Sequence, residues 1–448
     1  MRRFRTFALV VVLATLVALP AVPGGAAIPS GDLVDICEDL YGDVFGVPNT
    51  EPLGPCQWDM ALINAGTASY GYATGAGVKV GILDSGVDTD HPDIAGNLNL
   101  DLSCSFIFDD DPLADAQEKA NGDCTNKLAV EDLNGHGTHV ASTIAAPING
   151  IGIAGVAPEA TIVAVKVCSR AGFCFAPSVA AALRYAGDIG LDVVNLSLFA
   201  DPYLYYCSND PEQRDILREL ESAARYARQK GVTIVASAGN ESADLQHPGT
   251  DDISPDYPPG AAVEREVGNH CRVAPAELTG VVTVSATGPI GYPGYDLWIA
   301  DYSSVGMSRV DVTAPGGDYF QATGTVQDAI VAAAPVDGDL YQGFDPLNAA
   351  FPGITTTDGG GGYVYLNGTS MSSPHAAGVA ALIVERHPKW SPGAIEAALQ
   401  RTAQELACPP DWVPLNPADE REECYGGSDG KTSFFGHGLV DAWAAATG

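Results

Sequence analysis

Residues 78–84 have the sequence VKVGILD, a run of aliphatic and β-branched residues that ends in an acid. Comparable apolar runs follow at residues 161–167, 193–198, 232–236 and 281–284. Short runs that are apolar throughout, rather than alternating, are typical of strands buried on both faces of a parallel sheet. We therefore predict a strand at each of these places.

Alanine-rich stretches of helical length separate and follow these runs. The helix candidates cover residues 137–146, 177–187, 211–229 and 370–385, and Ser391-Pro392 has the N-cap and first-position pattern of one more helix. Strands that alternate with helices indicate an α/β protein with three layers, a mainly parallel central sheet covered by helices on both faces. Ligands of such sheets bind outside the carboxyl ends of the strands, so functional residues are expected there.

Composition narrows the class of function. The chain has 448 residues, 46% of them hydrophobic, and a formal net charge of −34. The apolar content excludes a disordered acidic polymer. The acidic excess argues against nucleic acid and against anionic lipid as partners, because both would repel the protein. It leaves open whether the acidity serves high salt, low pH or a preference for basic peptides.

The amino-terminal residues predict export. Residues 1–5 are basic, residues 7–19 are apolar, and residues 25–27 are small, which is the pattern of a secretory signal peptide over residues 1–27. A transmembrane anchor is the alternative, although the apolar segment is short for a span. We expect a short arm or pro-segment at residues 28–56, a single domain at residues 57–448, and a secreted, extracellular monomer without stable membrane association.

The cysteines agree with export. There are ten of them, and an even number in an exported chain predicts disulfides, with several free buried thiols as the alternative. No C-x2-C pair occurs, which argues against a structural zinc site. The sequence does not fix the pairing. The simplest hypothesis joins neighbours along the chain: Cys37–Cys56, Cys104–Cys124, Cys168–Cys174, Cys207–Cys271 and Cys408–Cys424.

Four polar side chains stand where the predicted sheet would expose its carboxyl edge. Asp84 directly follows a strand, His136 stands at the mouth of a helix, Ser370 lies at another helix N-terminus, and Asn240 follows a strand. A serine hydroxyl attacks only when a base removes its proton, and a histidine held by a carboxylate is suited to that task. A helix N-terminus and a side-chain amide offer donors for an oxyanion.

These segments resemble the motifs of the subtilase family of serine peptidases. The matching motifs follow one another in the order Asp, His, Ser: residues 81–88 (GILDSGVD), residues 135–141 (GHGTHVA) and residues 368–378 (GTSMSSPHAAG). The resemblance implies a subtilisin-like fold and an endopeptidase with Ser370 as nucleophile, His136 as general base and acid, and Asp84 as its partner. Asn240 and the Ser370 amide would form the oxyanion hole, and no cofactor would take part in catalysis.

The resemblance also implies where a peptide or protein substrate binds. It would add as a strand beside Ser197, Leu198 and Phe199 and beside Ser237, Ala238 and Gly239. Phe199 stands where many relatives carry glycine, so that either its ring narrows the pocket before the scissile bond or it turns into a neighbouring loop. The resemblance assigns His139 and His375 structural roles.

Calcium is expected as a structural ion from the same resemblance. Asp93 would be one ligand, and Asn149, in a loop at residues 147–153, would be another, because calcium favours carboxylate, amide and carbonyl oxygens. A loop without metal is the alternative. Residues 28–56 are too short for the folded prodomain of secreted relatives, so we expect an arm retained through Cys37–Cys56.

Two other functions stay open. A catalytically silent binding protein with the same fold would keep the cleft but lack a reactive serine. A dedicated processing peptidase would act on one exported partner rather than on many proteins, and the insertions expected at residues 106–132, 201–216 and 318–362 would suit it by rimming the cleft.

Overall fold

The computed structural model of the chain describes residues 28–289, 298–319, 323–409, 421, 423–427 and 430–448. The α-helices in these ranges are α1 (Ser30–Cys37), α2 (Trp58–Leu62), α3 (Thr67–Tyr70), α4 (Pro92–Ala95), α5 (His136–Ala145), α6 (Ala176–Asp188), α7 (Pro211–Gln229), α8 (Asp339–Phe344), α9 (Thr369–Arg386), α10 (Pro392–Thr402) and α11 (Ala442–Thr447). The strands are β1 (Ile28–Pro29), β2 (Lys79–Asp84), β3 (Cys104–Ser105), β4 (Thr161–Lys166), β5 (Val193–Leu196), β6 (Tyr205–Cys207), β7 (Thr233–Ser237), β8 (Thr250–Asp251), β9 (Arg265–Glu266), β10 (Cys271–Val273), β11 (Val281–Thr287), β12 (Val312–Pro315), β13 (Ile330–Ala334), β14 (Thr355–Asp358) and β15 (Gly361–Leu366).

The central layer is a seven-stranded sheet in the order β12-β11-β7-β5-β2-β4-β3. Every pairing in it is parallel. Side chains alternate between its faces, so that Val80 and Ile82 of β2 join the core under α5 and α9, whereas Leu83 joins the core under α6 and α7. The predicted α/β fold with helices on both faces is confirmed.

A smaller sheet holds the amino-terminal arm against the main domain. Its order is β1-β14-β15-β13, so the expected insertion at residues 318–362 supplies β13, β14 and the first two residues of β15, and the arm supplies β1. Leu33 and Leu53 of the arm are buried in one cluster with Tyr363 of β15. Gly359 and Gly360 form the turn between β14 and β15, whereas the next two glycines, Gly361 and Gly362, belong to β15.

Five disulfides close loops on both sides of the sheet, and all of them join neighbours along the chain as the simplest hypothesis held. No described cysteine is free. The predicted signal peptide at residues 1–27 lies outside the described residues. Among the residues that the structure does describe, no helix combines the length and the apolar character that crossing a bilayer requires.

Candidate active site

Asp84 and His136 meet at the carboxyl edge of the central sheet. Asp84 is the last residue of β2 and is 2% exposed, and His136 is the first residue of α5. The imidazole Nδ1 lies 2.7 Å from Asp84 Oδ1. A carboxylate in this position holds the imidazole proton on Nδ1, so that Nε2 is left as an acceptor.

The electrostatic surroundings make His136 a stronger base. Burial is the largest influence and would by itself lower its pKa, but the charge and hydrogen bond of Asp84, with the charge of Asp132, outweigh burial. The pKa of His136 is therefore raised above its ordinary value of 6.5.

Asp132 is a residue of this site that the sequence motifs did not single out. Its Oδ1 accepts hydrogen bonds from Ser85 Oγ at 2.9 Å and from the Gly135 amide at 2.8 Å. Ser85 Oγ in turn accepts the Gly137 amide at 2.9 Å. The turn after Asp84 and the start of the His136 helix are thus joined through one buried carboxylate. An acid four residues before His136, just ahead of a helix, is a capping signal that could have identified it.

Ser370 is held at the second position of α9, where backbone amides have no helical partner. Pro374 lies just beyond the first turn of this helix. Because proline has no N–H, it cannot donate the helical hydrogen bond to the carbonyl of Ser370. Ser197 Oγ donates to that carbonyl instead at 2.7 Å. Ser370 Oγ donates to the carbonyl of Ser197 at 3.2 Å. These reciprocal bonds tie the segment after β5 to the start of the serine helix.

Asn240 lies beside the same helix start. Its Oδ1 accepts the Thr369 amide at 2.9 Å and Thr369 Oγ1 at 2.8 Å. Because the oxygen is occupied in this way, only the Nδ2 donors are available to a ligand. A Cβ atom at Gly368 would be 3.7 Å from the Asn240 amide, so the amide lies next to the backbone that precedes Ser370.

The helices that begin at His136 and at Thr369 pack against each other, which brings the aspartate, histidine, serine and asparagine to one edge of the sheet. Within the described residues no hydrogen bond joins Ser370 Oγ to the imidazole, since the hydroxyl donates to Ser197. Such bonds are often long without substrate and shorten when it binds. The arrangement has the donors and acceptors of a base-activated nucleophile.

Both predicted substrate-binding segments lie beside this edge. Ser197 contacts Ser370 directly, and the Gly239 amide donates to Thr369 Oγ1 at 3.2 Å. The Ala238 amide is used within the sheet, where it donates to the carbonyl of Val284 at 3.0 Å.

The hydrophobic neighbours of Phe199 show against which residues its ring packs. Phe199 is partly buried against a cluster that includes Ala238, Leu204 and Leu245, while Leu198 packs beneath the α6 and α7 side. The ring therefore packs against a cluster that contains both Ala238 of the predicted pocket wall and Leu204 of the inserted segment. The glycine at position 239 has φ 111°, and a Cβ there would lie 2.5 Å from Glu241.

The structure brings together the two residues predicted to bind calcium, Asp93 and Asn149. The two side chains are adjacent, but Asn149 Nδ2 donates to Asp93 Oδ1 at 3.1 Å and Asn149 Oδ1 accepts the Ile151 amide at 2.9 Å. The loop also points its amides inward, because Gly150 and Ile151 donate to Glu51 Oε2 at 2.7 and 2.9 Å. Calcium requires converging oxygens. A calcium site therefore stays a prediction, and no step below depends on it.

His139 and His375 have structural surroundings, as expected. His139 Nε2 lies 3.1 Å from the carbonyl of Ile330, and His375 Nε2 lies 2.8 Å from Asp59 Oδ2, all of them buried. Among the described residues, the group of potential metal ligands that converge is Cys207, His270 and Cys271, and its cysteines form a disulfide.

Comparison with known proteins agrees with this geometry. The model of the subtilase family matches residues 75–438. The chain is 31% identical over 388 residues to M-protease of Shouchella clausii (strain KSM-K16), covering 87% of this chain and 69% of that protein. It is 30% identical over 388 residues to Subtilisin Savinase of Lederbergia lenta, covering 87% of this chain and 97% of Savinase.

Solved structures show the same fold. Fervidolysin from Fervidobacterium pennivorans superposes with a TM-score of 0.59 and 26% identity, over 89% of this chain and 46% of fervidolysin. A lanthipeptide protease superposes with a TM-score of 0.62, over 95% of this chain and 99% of that one, at 23% identity. At that identity the second likeness establishes the fold alone.

Proposed function

Because the chain belongs to the subtilase family and is a subtilisin-like serine protease, we propose that it is a secreted endopeptidase whose nucleophile is Ser370. The observation that supports this most is the 2.7 Å contact of His136 Nδ1 with Asp84 Oδ1, combined with a serine at the start of the packed helix α9. A carboxylate-held imidazole beside a serine is the unit that activates a hydroxyl.

The reaction begins when a substrate carbonyl reaches Ser370. Ser370 Oγ leaves its bond to the carbonyl of Ser197 and gives its proton to His136 Nε2 as the Oγ–C bond forms. The imidazolium is stabilised by Asp84. His136 then gives that proton to the leaving amine, the C–N bond breaks, and an acyl-enzyme remains. A water molecule, deprotonated by the same His136, hydrolyses the acyl-enzyme and restores the serine.

The oxyanion of each tetrahedral intermediate would accept hydrogen bonds from Asn240 Nδ2 and the Ser370 amide. The proposal is supported by the fixed orientation of Asn240, whose Oδ1 is held by Thr369 at 2.8 and 2.9 Å. Donors that are fixed before the reaction stabilise developing charge without reorganisation.

Peptide substrates would bind as a strand between the two segments predicted for them. Ser197, Leu198 and Phe199 would supply one edge, and Ser237, Ala238 and Gly239 would supply the pocket wall. Main-chain hydrogen bonds at such an edge give affinity for many sequences, and the pockets give selectivity. Phe199, packed beside Ala238, would then limit the size of the residue accepted before the scissile bond.

Secretion is supported by the five disulfides, which are typical of oxidising compartments. Cleavage of the predicted signal peptide after residue 27 would expose Ile28 of β1. Amino-terminal sequencing of the exported protein is expected to begin near Ile28, and a start at or beyond Trp58 would refute retention of the arm.

A dedicated processing peptidase is the second candidate, and contacts beside the cleft favour it. Arg170 pairs with Asp115 at 3.3 Å and with Asp339 at 2.6 Å, so two insertions are joined. The amide of Leu340 donates to the carbonyl of Asn134, two residues before His136, at 2.9 Å. Loops tied together here would restrict access. Proteome-wide cleavage profiling distinguishes one preferred substrate from broad digestion.

Casein hydrolysis tests the proposal. The wild-type protein is expected to cleave casein, and Ser370→Ala is expected to be exported, folded by circular dichroism and inert. If the folded Ser370→Ala variant cleaved casein at the wild-type rate, the assignment would be refuted. If the wild type neither cleaved casein nor reacted with a fluorophosphonate, the silent binding protein would be favoured.

A further inference from the structure

Two carboxyl groups outside the catalytic site meet in the interior, those of Asp201 and Asp256. Asp201 is 3% exposed, and its side chain is hydrogen-bonded to that of Asp256. Two carboxylates in contact away from water do not both ionise, so the pair holds one proton. Within the described residues no amide, hydroxyl or cation donates to the buried Asp256 Oδ1, which leaves this atom for the shared proton.

The location of the proton follows from the neighbours of each carboxyl. Burial and then the contact with Asp256 hold the pKa of Asp201 well above its ordinary range. Burial also raises the pKa of Asp256, but there the hydrogen bond from Asp201 acts in the opposite direction. The shared proton therefore lies between the two carboxyls. Asp201 Oδ2 accepts the amide of Cys174 at the same time.

The groups that face the pair do not supply a compensating cation. Asp111 faces Asp201 from the insertion at residues 106–132, and Asp251 faces Asp256 from β8. Tyr206 of β6 faces both carboxyls. Arg265 of β9 is engaged with Asp251 at 2.6 Å. All of the facing acids would oppose a second negative charge on the pair.

The pair stands where three segments of chain join. The Asp201 amide donates to the carbonyl of Cys174 at 3.0 Å, and the Asp201 carbonyl accepts the Ala176 amide at 3.0 Å. The Asp256 amide donates to the carbonyl of Pro202 at 3.1 Å. Asp201 thus links the loop that ends at Cys174 to the loop that contains Asp256.

Asp201 also lies at the end of the short segment that begins at Ser197, the residue that binds Ser370. Ser197, four residues earlier, exchanges hydrogen bonds with Ser370. Extended chain rises about 3.3 Å per residue, so only Leu198, Phe199 and Ala200 separate Asp201 from Ser197.

We propose that Asp201 and Asp256 form a proton-sharing clasp that positions Ser197, Leu198 and Phe199 for peptide binding, and that loss of the shared proton at alkaline pH weakens that binding. The inference rests on the proposed function of this segment. Neither carboxyl touches the reacting atoms, so both are positioning residues. When both carboxyls ionise, repulsion separates them, and the chain at Asp201 loses its side-chain link to the loop that contains Asp256.

The test is the pH dependence of KM for a peptide substrate in the wild type and in Asp201→Asn. Between about pH 6 and about pH 10 we expect the wild-type KM to rise at least about fivefold, the lower range of typical coupling between sites. The side-chain amide that this substitution introduces would donate to Asp256 at every pH, and its oxygen would accept the Cys174 amide, so the variant KM should stay constant. The pH dependence of kcat should be the same in the wild type and in Asp201→Asn.

Asp311→Asn is the matched control. Asp311 is a partly buried acid, and burial raises its pKa to about 6, but it binds the Thr283 amide and Gln400 on the side of β11 and β12. Its KM profile should follow the wild type. If Asp201→Asn does not fold, Asp256→Asn replaces it, because the new amide would donate to the Asp201 carboxylate.

Stability gives a second measurement that needs no substrate. An acid whose pKa is raised in the folded state loses stability as the pH rises from its unfolded pKa to its folded pKa. The Tm of Asp201→Asn relative to the wild type should therefore increase with pH. A wild-type KM that stays constant, or one that rises equally in Asp201→Asn, would overturn the clasp. A wild-type protein that is not labelled by a fluorophosphonate would instead overturn the proposed function.

Discussion

Two regions of this molecule carry motifs of the same family, and the structure treats them differently. At the catalytic edge, which comprises Asp84, His136 and Ser370, the motif residues come together with 2.7 Å between His136 and Asp84. The Glu51 loop comprises residues 147–153 together with Glu51. Asp93 and Asn149 are also adjacent there, but the loop turns its Gly150 and Ile151 amides toward the Glu51 carboxylate, whereas calcium would need oxygen atoms from the loop.

The difference lies in which neighbours complete each region. The catalytic edge is completed by residues such as Asp132 and Ser197, which bind the motif segments and join them to the rest of the sheet edge. The Glu51 loop is completed by the amino-terminal arm, whose Glu51 reaches a loop about a hundred residues further along the chain. A motif therefore predicts a site only when the long-range neighbours leave the site's ligands free.

The largest effect is expected from His136→Ala at the catalytic edge. Without a base the serine hydroxyl stays protonated, and kcat should fall about 10⁶-fold, a magnitude measured on subtilisin, which is a relative. Casein or peptide hydrolysis measures it, with a thermal melt to show that the variant is folded. Activity of His136→Ala within tenfold of the wild type would contradict the assignment of His136 as the catalytic base.

Asn240→Ala tests the oxyanion donor. The loss of one fixed donor should reduce kcat about 10²- to 10³-fold with little change in KM, as measured in the same relative. Asn149→Ala, at the Glu51 loop, is the matched control and should leave kcat unchanged. Equal kcat losses in both variants would show that the two regions do not differ in function.

Glu51→Ala tests the other region. Removal of the carboxylate leaves the amides of Gly150 and Ile151 without their acceptor, which should cost about 1–3 kcal/mol in the free energy of unfolding. Glu51→Gln keeps one acceptor oxygen and should lose less. Denaturant melts measure both.

The same region predicts that a chelator leaves the wild-type Tm unchanged. The donor groups around Asp93 are already hydrogen-bonded to one another, so no tightly held metal is expected to be removed. A lower Tm in excess chelator that calcium restores would contradict the arrangement of the Glu51 loop and would confirm the calcium prediction made from the sequence.

The smallest expected effect is on the acid limb of kcat/KM. His136 acts as a base only when neutral, and its pKa is raised above 6.5 because Asp84 and Asp132 outweigh burial. Activity should therefore fall as the pH decreases through a midpoint above 6.5. A midpoint below 6.5 would show that the carboxylates do not control the imidazole.

Much of the fold followed from local patterns. The helix predicted at residues 211–229 has those bounds, because Asp210 caps it, Pro211 opens it and its amphipathic pattern is continuous. Strand bounds shifted by a residue or two where the sheet register, rather than β propensity, ends the pairing. The roles of Asp84, His136, Ser370 and Asn240 stay predictions, but their convergence followed from motifs at the strand ends.

The rest depended on contacts between distant residues. Asp132 was missed because its partner Ser85 is brought to it by the packing of β2 against α5. Glu51 was missed because an arm of residues 28–56 does not show in sequence which loop it will reach. The clasp of Asp201 and Asp256 was missed for the same reason, since an isolated acid in a loop is ordinarily solvated.

The most direct test of the account is labelling with a fluorophosphonate followed by peptide mapping. The probe forms a covalent bond only with a serine whose proton is removed by a base. We expect a single modified serine, Ser370, in the wild type and no labelling in Ser370→Ala or His136→Ala. A wild-type protein that is folded but unlabelled, or labelled at another serine, would contradict the claim that these residues form the catalytic site.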